Sequence, residues 1–237
     1  MKNRIVGLVT GLIVSVFLVP VQASTISEEE FICPYDGIKF TAVLQASGSS
    51  WGKMLDFRPY GAIEAPWPIA SCPTNGFVFL KSHYDEAELE RLKPLVLSAD
   101  YQALKQEATY YRAAWLKART GAPSIEVFWT LLQATWQASG EPEKYRRYAT
   151  ELLQRLPPDI AQEADADRKI ALELIRIELL RRTGRFAETE PLLDDLENRV
   201  PERSLQSEML LYQRDLIGQG DIAEHEIPQS DRKPVKP

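Results

Sequence analysis

The chain has 237 residues, of which 44% are hydrophobic, with two cysteines, two histidines and a formal net charge of −6. That acidic balance argues against nucleic acid or an anionic lipid surface as the main partner. Two histidines leave little material for a histidine-based triad or a metal cluster, and the length allows one or two domains with a real core.

Lys2 and Arg4, the uncharged apolar run 5–18, the helix breaker Pro20 and the small-residue pattern Val21-Gln22-Ala23 follow one another as in a cleavable signal peptide. An uncleaved anchor would want about 18–20 apolar residues, more than this run supplies. The expectation is export to the periplasm or beyond, with cleavage after Ala23 and no membrane anchor left. Loss of Lys2 and Arg4 makes the remainder more acidic still.

Residues 24–84 read as a small module of strand and loop. Cys33-Pro34-Tyr35-Asp36-Gly37 and Cys72-Pro73-Thr74-Asn75-Gly76 each have the order of a Cys-Pro-x-Cys-Gly zinc knuckle with a short polar residue in place of its second cysteine. A tetrahedral zinc site wants four thiolate or imidazole ligands, and half are gone. Sulfurs about 3.8 Å apart around zinc need only a small backbone adjustment to form a bond of about 2.05 Å. Two cysteines in an exported chain usually pair with each other, so a Cys33–Cys72 disulfide is expected and no metal. Residual metal through Cys33, Asp36, Cys72 and Asn75, and free or intermolecular thiols, are the alternatives. Lys39-Phe40-Thr41-Ala42-Val43-Leu44 and Gly76-Phe77-Val78-Phe79-Leu80 have strand content. Residues 48–68 read as a long loop, pinned by Trp51, Phe57, Tyr60 and Trp67 against later helices.

From Asp85 the apolar period becomes helical. Leu89, Leu92 and Val96 mark one helix containing Pro94, and Tyr101, Leu104, Ala108, Tyr111 and Trp115 a second, started by Ser98 or Asp100 and stopped by Gly121 and Pro123. Counting back from Gly140 puts Trp129, Leu132 and Trp136 on the large apolar positions of a tetratricopeptide unit, with Tyr145, Ala149, Leu152 and a closing Pro157 on its second helix. Gly184 and Gly220 anchor two further, divergent units, with Asp159 to Arg168 as an insertion between the first two. An ordinary helical bundle is the alternative.

The order of knuckle, Asp56-Phe57-Arg58-Pro59-Tyr60, second knuckle, Gly76-Phe77 and long helical stretch resembles an uncharacterised bacterial family with paired Cys-Pro-x-Cys-Gly knuckles ahead of tetratricopeptide-like helices. The resemblance covers residues 31–220. It implies a mostly α fold, a tetratricopeptide-like helical repeat array over residues 85–222 behind a degenerate zinc-ribbon-like β/loop module. In that family the paired cysteines imply zinc, whereas Asp36 and Asn75 stand here in place of two of them. The family carries no agreed activity.

No phosphate loop, His-Glu-x-x-His or Gly-x-Ser-x-Gly occurs, so neither a catalytic residue nor a cofactor is expected. The functional expectation is an exported, non-catalytic module that binds a peptide or protein in the repeat groove. In such stacking the first helix of each unit lines the concave side. Those positions are Thr130, Ala134 and Gln137, then Leu174, Glu178, Arg181 and Arg182, then Leu210 and Arg214. Arg181 and Arg214 would offer guanidinium forks to a carboxylate; plain solvated helix-end arginines are the alternative. A carbohydrate-binding or enzymatic site in the aromatic segment 48–68 is the second functional reading. His225 and the segment 223–237 read as a disordered tail.

Overall fold

The computed structural model describes residues 24–228; the signal-peptide reading of 1–23 and the tail from residue 229 lie outside them. About half of the described residues are helical, and the strands form two separate two-stranded sheets. Strand β1 (Thr25–Ile32) pairs antiparallel with β2 (Lys39–Ser47), Phe31 opposite Phe40, and the first knuckle turn joins them. The strand expected from Lys39 is present. Its partner contains Glu28-Glu29-Glu30, which read only as a solvated start of the mature chain; Ile26, Phe31 and Ile32 supply β-forming residues around the acids.

Two local readings of this module need correction. The strand expected at Gly76–Leu80 reduces to one bridge, Ser71 to Val78, because Phe77 and Val78 turn into the core rather than along a sheet. The long loop 48–68 is a second hairpin, β3 (Ser49–Lys53) with β4 (Pro59–Ala62). Its tip drives Leu55 and Asp56 inward, both almost fully buried, and Phe57 packs against the helical clusters as expected, while Trp51 and Trp67 stay about half exposed.

The helices are α1 (Glu86–Val96), α2 (Ala99–Gln102), α3 (Thr109–Arg119), α4 (Ser124–Gln137), α5 (Pro142–Gln162), α6 (Ala166–Arg182), α7 (Glu190–Glu197) and α8 (Leu205–Gly218). Asp85 and Glu88 form a capping box on α1, and Ser98, Asp165 and Ser204 cap α2, α6 and α8. The single helix read through Tyr101 and Trp115 is broken between α2 and α3. The break is held by side chains from elsewhere: the Ala108 amide donates to the Tyr148 hydroxyl at 3.1 Å and the Tyr110 amide to Gln137 Oε1 at 3.0 Å. Conversely, α5 does not close at residue 157 but runs on to Gln162, taking the first four residues of the expected insertion, while α6 takes the last three.

Three buried clusters make up the core. One joins α3 to α6; a second joins α6, α7 and α8 to Leu55 and Ile227; a third sets Cys33, Cys72, Phe77 and Val78 against Val96, Tyr101, Ala113 and Leu116. The second cluster corrects the reading of residues 223–228 as disordered. After α8 the chain turns back onto the second hairpin, where the Leu55 amide donates to His225 O at 2.9 Å and the Ile227 amide to Lys53 O at 2.8 Å. Ile227 is buried, which anchors a segment whose composition looked too polar to fold.

Candidate functional site

The face expected to meet a partner is occupied by the protein itself. Thr130, Ala134, Leu174, Glu178, Arg181 and Leu210 are all buried, with Arg181 at 0% exposure and Glu178 at 1%. A concave ligand face at these positions is therefore corrected. The reason is that each first helix is packed on more than one side: α4 lies between α3 and α5, and α6 touches α5, α7 and α8. Gln137 is spent on the start of α3, its amide bonding Thr109 Oγ1 at 2.9 Å as well as accepting from Tyr110. The sequence carried a signal of this: Ile170, Leu172, Leu174, Ile175, Ile177, Leu179 and Leu180 spread over much more of α6 than one stripe, and a helix with so wide an apolar surface is covered on more than one side.

Arg181 is held by four acceptors. Its Nε and Nη2 meet the two Glu178 carboxylate oxygens at 2.9 and 2.7 Å, and Nη1 and Nη2 donate to the Asp221 and Ala223 carbonyls at 2.6 and 2.7 Å. Arg182 bridges to Glu224 at 2.9 Å and lies over the Tyr145 ring, 4.0 Å from its centroid. Arg58, at the base of β4, meets the other oxygen of Glu224 at 2.5 Å, and Tyr60 bonds Glu226. His225, read as frayed, sits between Tyr212 at 3.1 Å and Asp221 at 2.9 Å. Arg214 is the exception: partly exposed, it ties α8 to α7 through Asp194 at 2.9 Å and Glu197 at 3.0 Å. Residues 221–227 thus form a strap, clamped by arginines the sequence had assigned to a ligand.

Asp56 lies in the same cluster. Its Oδ1 accepts the Arg58 amide at 3.0 Å, whereas Oδ2 has no hydrogen-bond partner and is 3.9 Å from Arg182. Burial pushes its pKa up to about 6, outweighing the Arg58 amide and the guanidinium groups of Arg58 and Arg182.

The two knuckles have matching geometry. Cys33 N–H donates to Ile38 O at 2.9 Å and Cys72 N–H to Phe77 O at 2.8 Å; Gly37 and Gly76 close the turns with φ of 70° and 75°, where a side chain would be strained. Cys33 and Cys72 are disulfide-bonded across a separation of 39 residues, worth about 4 kcal/mol in the chain-entropy account. Asp36 Oδ1 accepts the Ile38 amide at 3.1 Å and Asn75 Oδ1 the Phe77 amide at 2.9 Å, so both replacement residues brace their turns in the same way. Asn75 Nδ2 then donates to Asp36 Oδ2 at 3.0 Å, and the Thr74 hydroxyl bonds the same oxygen. The Thr74 and Ile38 bonds hold the Asp36 carboxyl below its ordinary range. Joined sulfurs, an engaged carboxylate and an amide do not fit zinc. Among the described residues no group of three His, Cys, Asp or Glu is placed to hold a metal ion.

Two clefts open beside this module, a smaller one of about 250 Å³ between Phe77, Val78 and α1, and a larger one along β1. A slot of about 530 Å³ runs between β1 and the segment around the second knuckle, lined by Glu29 to Ile32, Leu44, Ile69, Phe79 and Lys81 among others. Nothing in the repeat arithmetic pointed to it, because it depends on how β1 pairs.

Two measurements test this geometry. Arg181→Ala leaves Glu178 buried without its partner and is expected to cost roughly 3–5 kcal/mol in denaturant unfolding, whereas Arg214→Ala is expected to stay within about 1 kcal/mol. Equal, small effects would contradict the burial. For Asp56 the folded state holds its proton more tightly than the unfolded chain, so ionisation penalises folding. That penalty is absent below about pH 4 and fully present above about pH 6. Wild-type stability relative to Asp56→Asn should therefore fall across that window by up to about 3 kcal/mol, and a flat difference would refute it.

No protein-family model matches the chain, and neither a curated protein nor a solved structure matches it.

Proposed function

We propose that this is an exported, non-catalytic protein-binding module. In it, α4 to α8 form a divergent tetratricopeptide-like scaffold, and the knuckle module presents the binding surface. The carrying observation is the β1–β2 hairpin. It is two strands wide, and its outer face leaves Ile26, Val43 and Ile32 at 67%, 52% and 58% exposure. These apolar side chains alternate along the face with the exposed Glu28 and Glu30, an amphipathic surface that suits a partner of matching pattern. The inner face is packed through Phe31 and Phe40 on Phe79, which leaves the outer face and the strand edge as the surfaces for a partner.

Other observations support the remaining parts of the reading. The contacts α4–α5, α5–α6, α6–α7, α6–α8 and α7–α8 favour helix pairs stacked along the chain. Among the described residues no helix follows α8, and on this reading the strap takes the position of the third unit's second helix. The matched turns, with Asp36 and Asn75 bracing them, favour descent from paired zinc knuckles. The disulfide suits an oxidising compartment, in keeping with the leader read at 1–23. No helix among the described residues is long and apolar enough to cross a membrane.

The reading is tested with a photoreactive amino acid placed at Val43, and at the equally exposed Leu211 on α8 as control, in cells exporting the protein. A discrete protein adduct from position 43 and none from 211 is expected. Adducts from 211 alone, or none from 43, would place recognition away from the hairpin.

A further inference from the structure

The slot beside β1 opens along the edge of a strand, and its chemistry defines an occupant. Four consecutive residues, Glu29, Glu30, Phe31 and Ile32, line it. Consecutive residues alternate between the faces of a strand, so a run of four touching one groove means that the groove follows the edge. The ladder fixes which backbone groups lie there. Cys33 N–H points to Ile38 O on the β2 side, so alternation turns Phe31 and Glu29 toward β2 and leaves the backbone N–H and C=O of Ile32, Glu30 and Glu28 pointing outward. Among the described residues β1 has no strand beside it other than β2. This is an unpaired edge facing a slot.

We infer that this edge takes an extended partner segment of alternating apolar and basic residues as a third strand. The inference rests on the protein-binding reading above and names its chemistry. Outward N–H and C=O groups supply the pairing that main-chain recognition at a sheet edge uses. On the slot side, Phe31, Leu44, Ile69 and Phe79 offer an apolar floor, with Phe31 and Phe79 rings 4.9 Å apart, so every second partner residue is apolar. On the outer side, Glu28 and Glu30 stand exposed, and cross-strand pairing with opposite charge is favourable. The cations nearby do not neutralise them: Lys81 at the slot rim is paired with Glu88, and Lys39 stands opposite Ile32. The same acids disfavour a second copy of this chain, because antiparallel pairing of two β1 edges would set Glu28, Glu29 and Glu30 against their own kind.

The probe is a fluorescent Lys-Val-Lys-Val-Lys-Val peptide titrated into the oxidised protein, with Glu-Val-Glu-Val-Glu-Val as its charge-reversed control. The Lys peptide is expected to bind at least tenfold more tightly, with affinity falling as salt is added. N-methylation of alternate peptide residues reads the edge without altering the protein: one alternating set should abolish binding and the other should change it less than threefold. Glu30→Pro removes the outward N–H together with the Glu30 carboxylate and should reduce affinity at least tenfold and well beyond Glu30→Gln, which removes the charge alone; joint replacement of Glu28→Lys and Glu30→Lys should also cost at least tenfold. Equal binding of the two peptides, equal response to both N-methylated sets, or a protein dimer that forms in place of peptide binding would overturn the inference. A position-43 adduct that survives any of those results would leave the protein-binding reading standing. Its absence would remove that reading instead.

Discussion

Arg181 has no exposed surface, and the placement of the C-terminal third follows from satisfying it. A guanidinium taken out of water costs several kcal/mol unless each donor finds an acceptor in good geometry. Glu178, one helical turn earlier, supplies two acceptors, and the Asp221 and Ala223 carbonyls supply the others. The strap is therefore part of the core. Once it lies there, Glu224 is brought to Arg58 and Arg182, and His225 and Ile227 meet the backbone of the second hairpin. The N-terminal module is thereby fixed to the last helices as well as to the first ones, and the helical face lost as a groove becomes the joint between the two ends of the chain.

The opposite side is held by a different device. A pair of zinc knuckles keeps its shape because a metal gathers the turns; here a disulfide and the Asn75–Asp36 hydrogen bond gather them. Tyr101 and Arg112 lock the second turn further by donating to the Gly76 carbonyl at 2.8 and 2.6 Å, and the Tyr35 hydroxyl fastens the first to α1 at Leu89 O. Both turns being rigid, the β1–β2 hairpin that grows from the first of them projects in a defined direction. That rigidity suits a strand edge for recognition, since little order has to be created when a partner adds.

What the residues made legible was local. The half-knuckles, the glycines that close them and the pairing of the only two cysteines follow from short-range geometry and compartment. The helical region was visible in its period, with Ser98 as one of its caps. What was hidden depended on contacts far apart in sequence. Glu28-Glu29-Glu30 does not read as strand until Phe31 finds Phe40. The start of α3 depends on Gln137 and Tyr148, some thirty to forty residues away. Residues 221–227 are polar in composition and become structural only because Arg181 is buried. The register of the ligand face failed for a related reason: spacing within one helix says which residues share a side, not how many sides are covered.

The central claim is that the strap and the tip of the second hairpin are integral to the fold rather than a ligand-displaceable cover. Native-state hydrogen exchange at the Leu55 and Ile227 amides measures this directly. If the strap is core, both should exchange only through global unfolding, with an opening free energy matching that from denaturant unfolding and unchanged by added peptide. Exchange of either amide near the rate of an unstructured chain, with α6 still protected, would show the strap to be a loose cover and return the helical face to the surface as a groove.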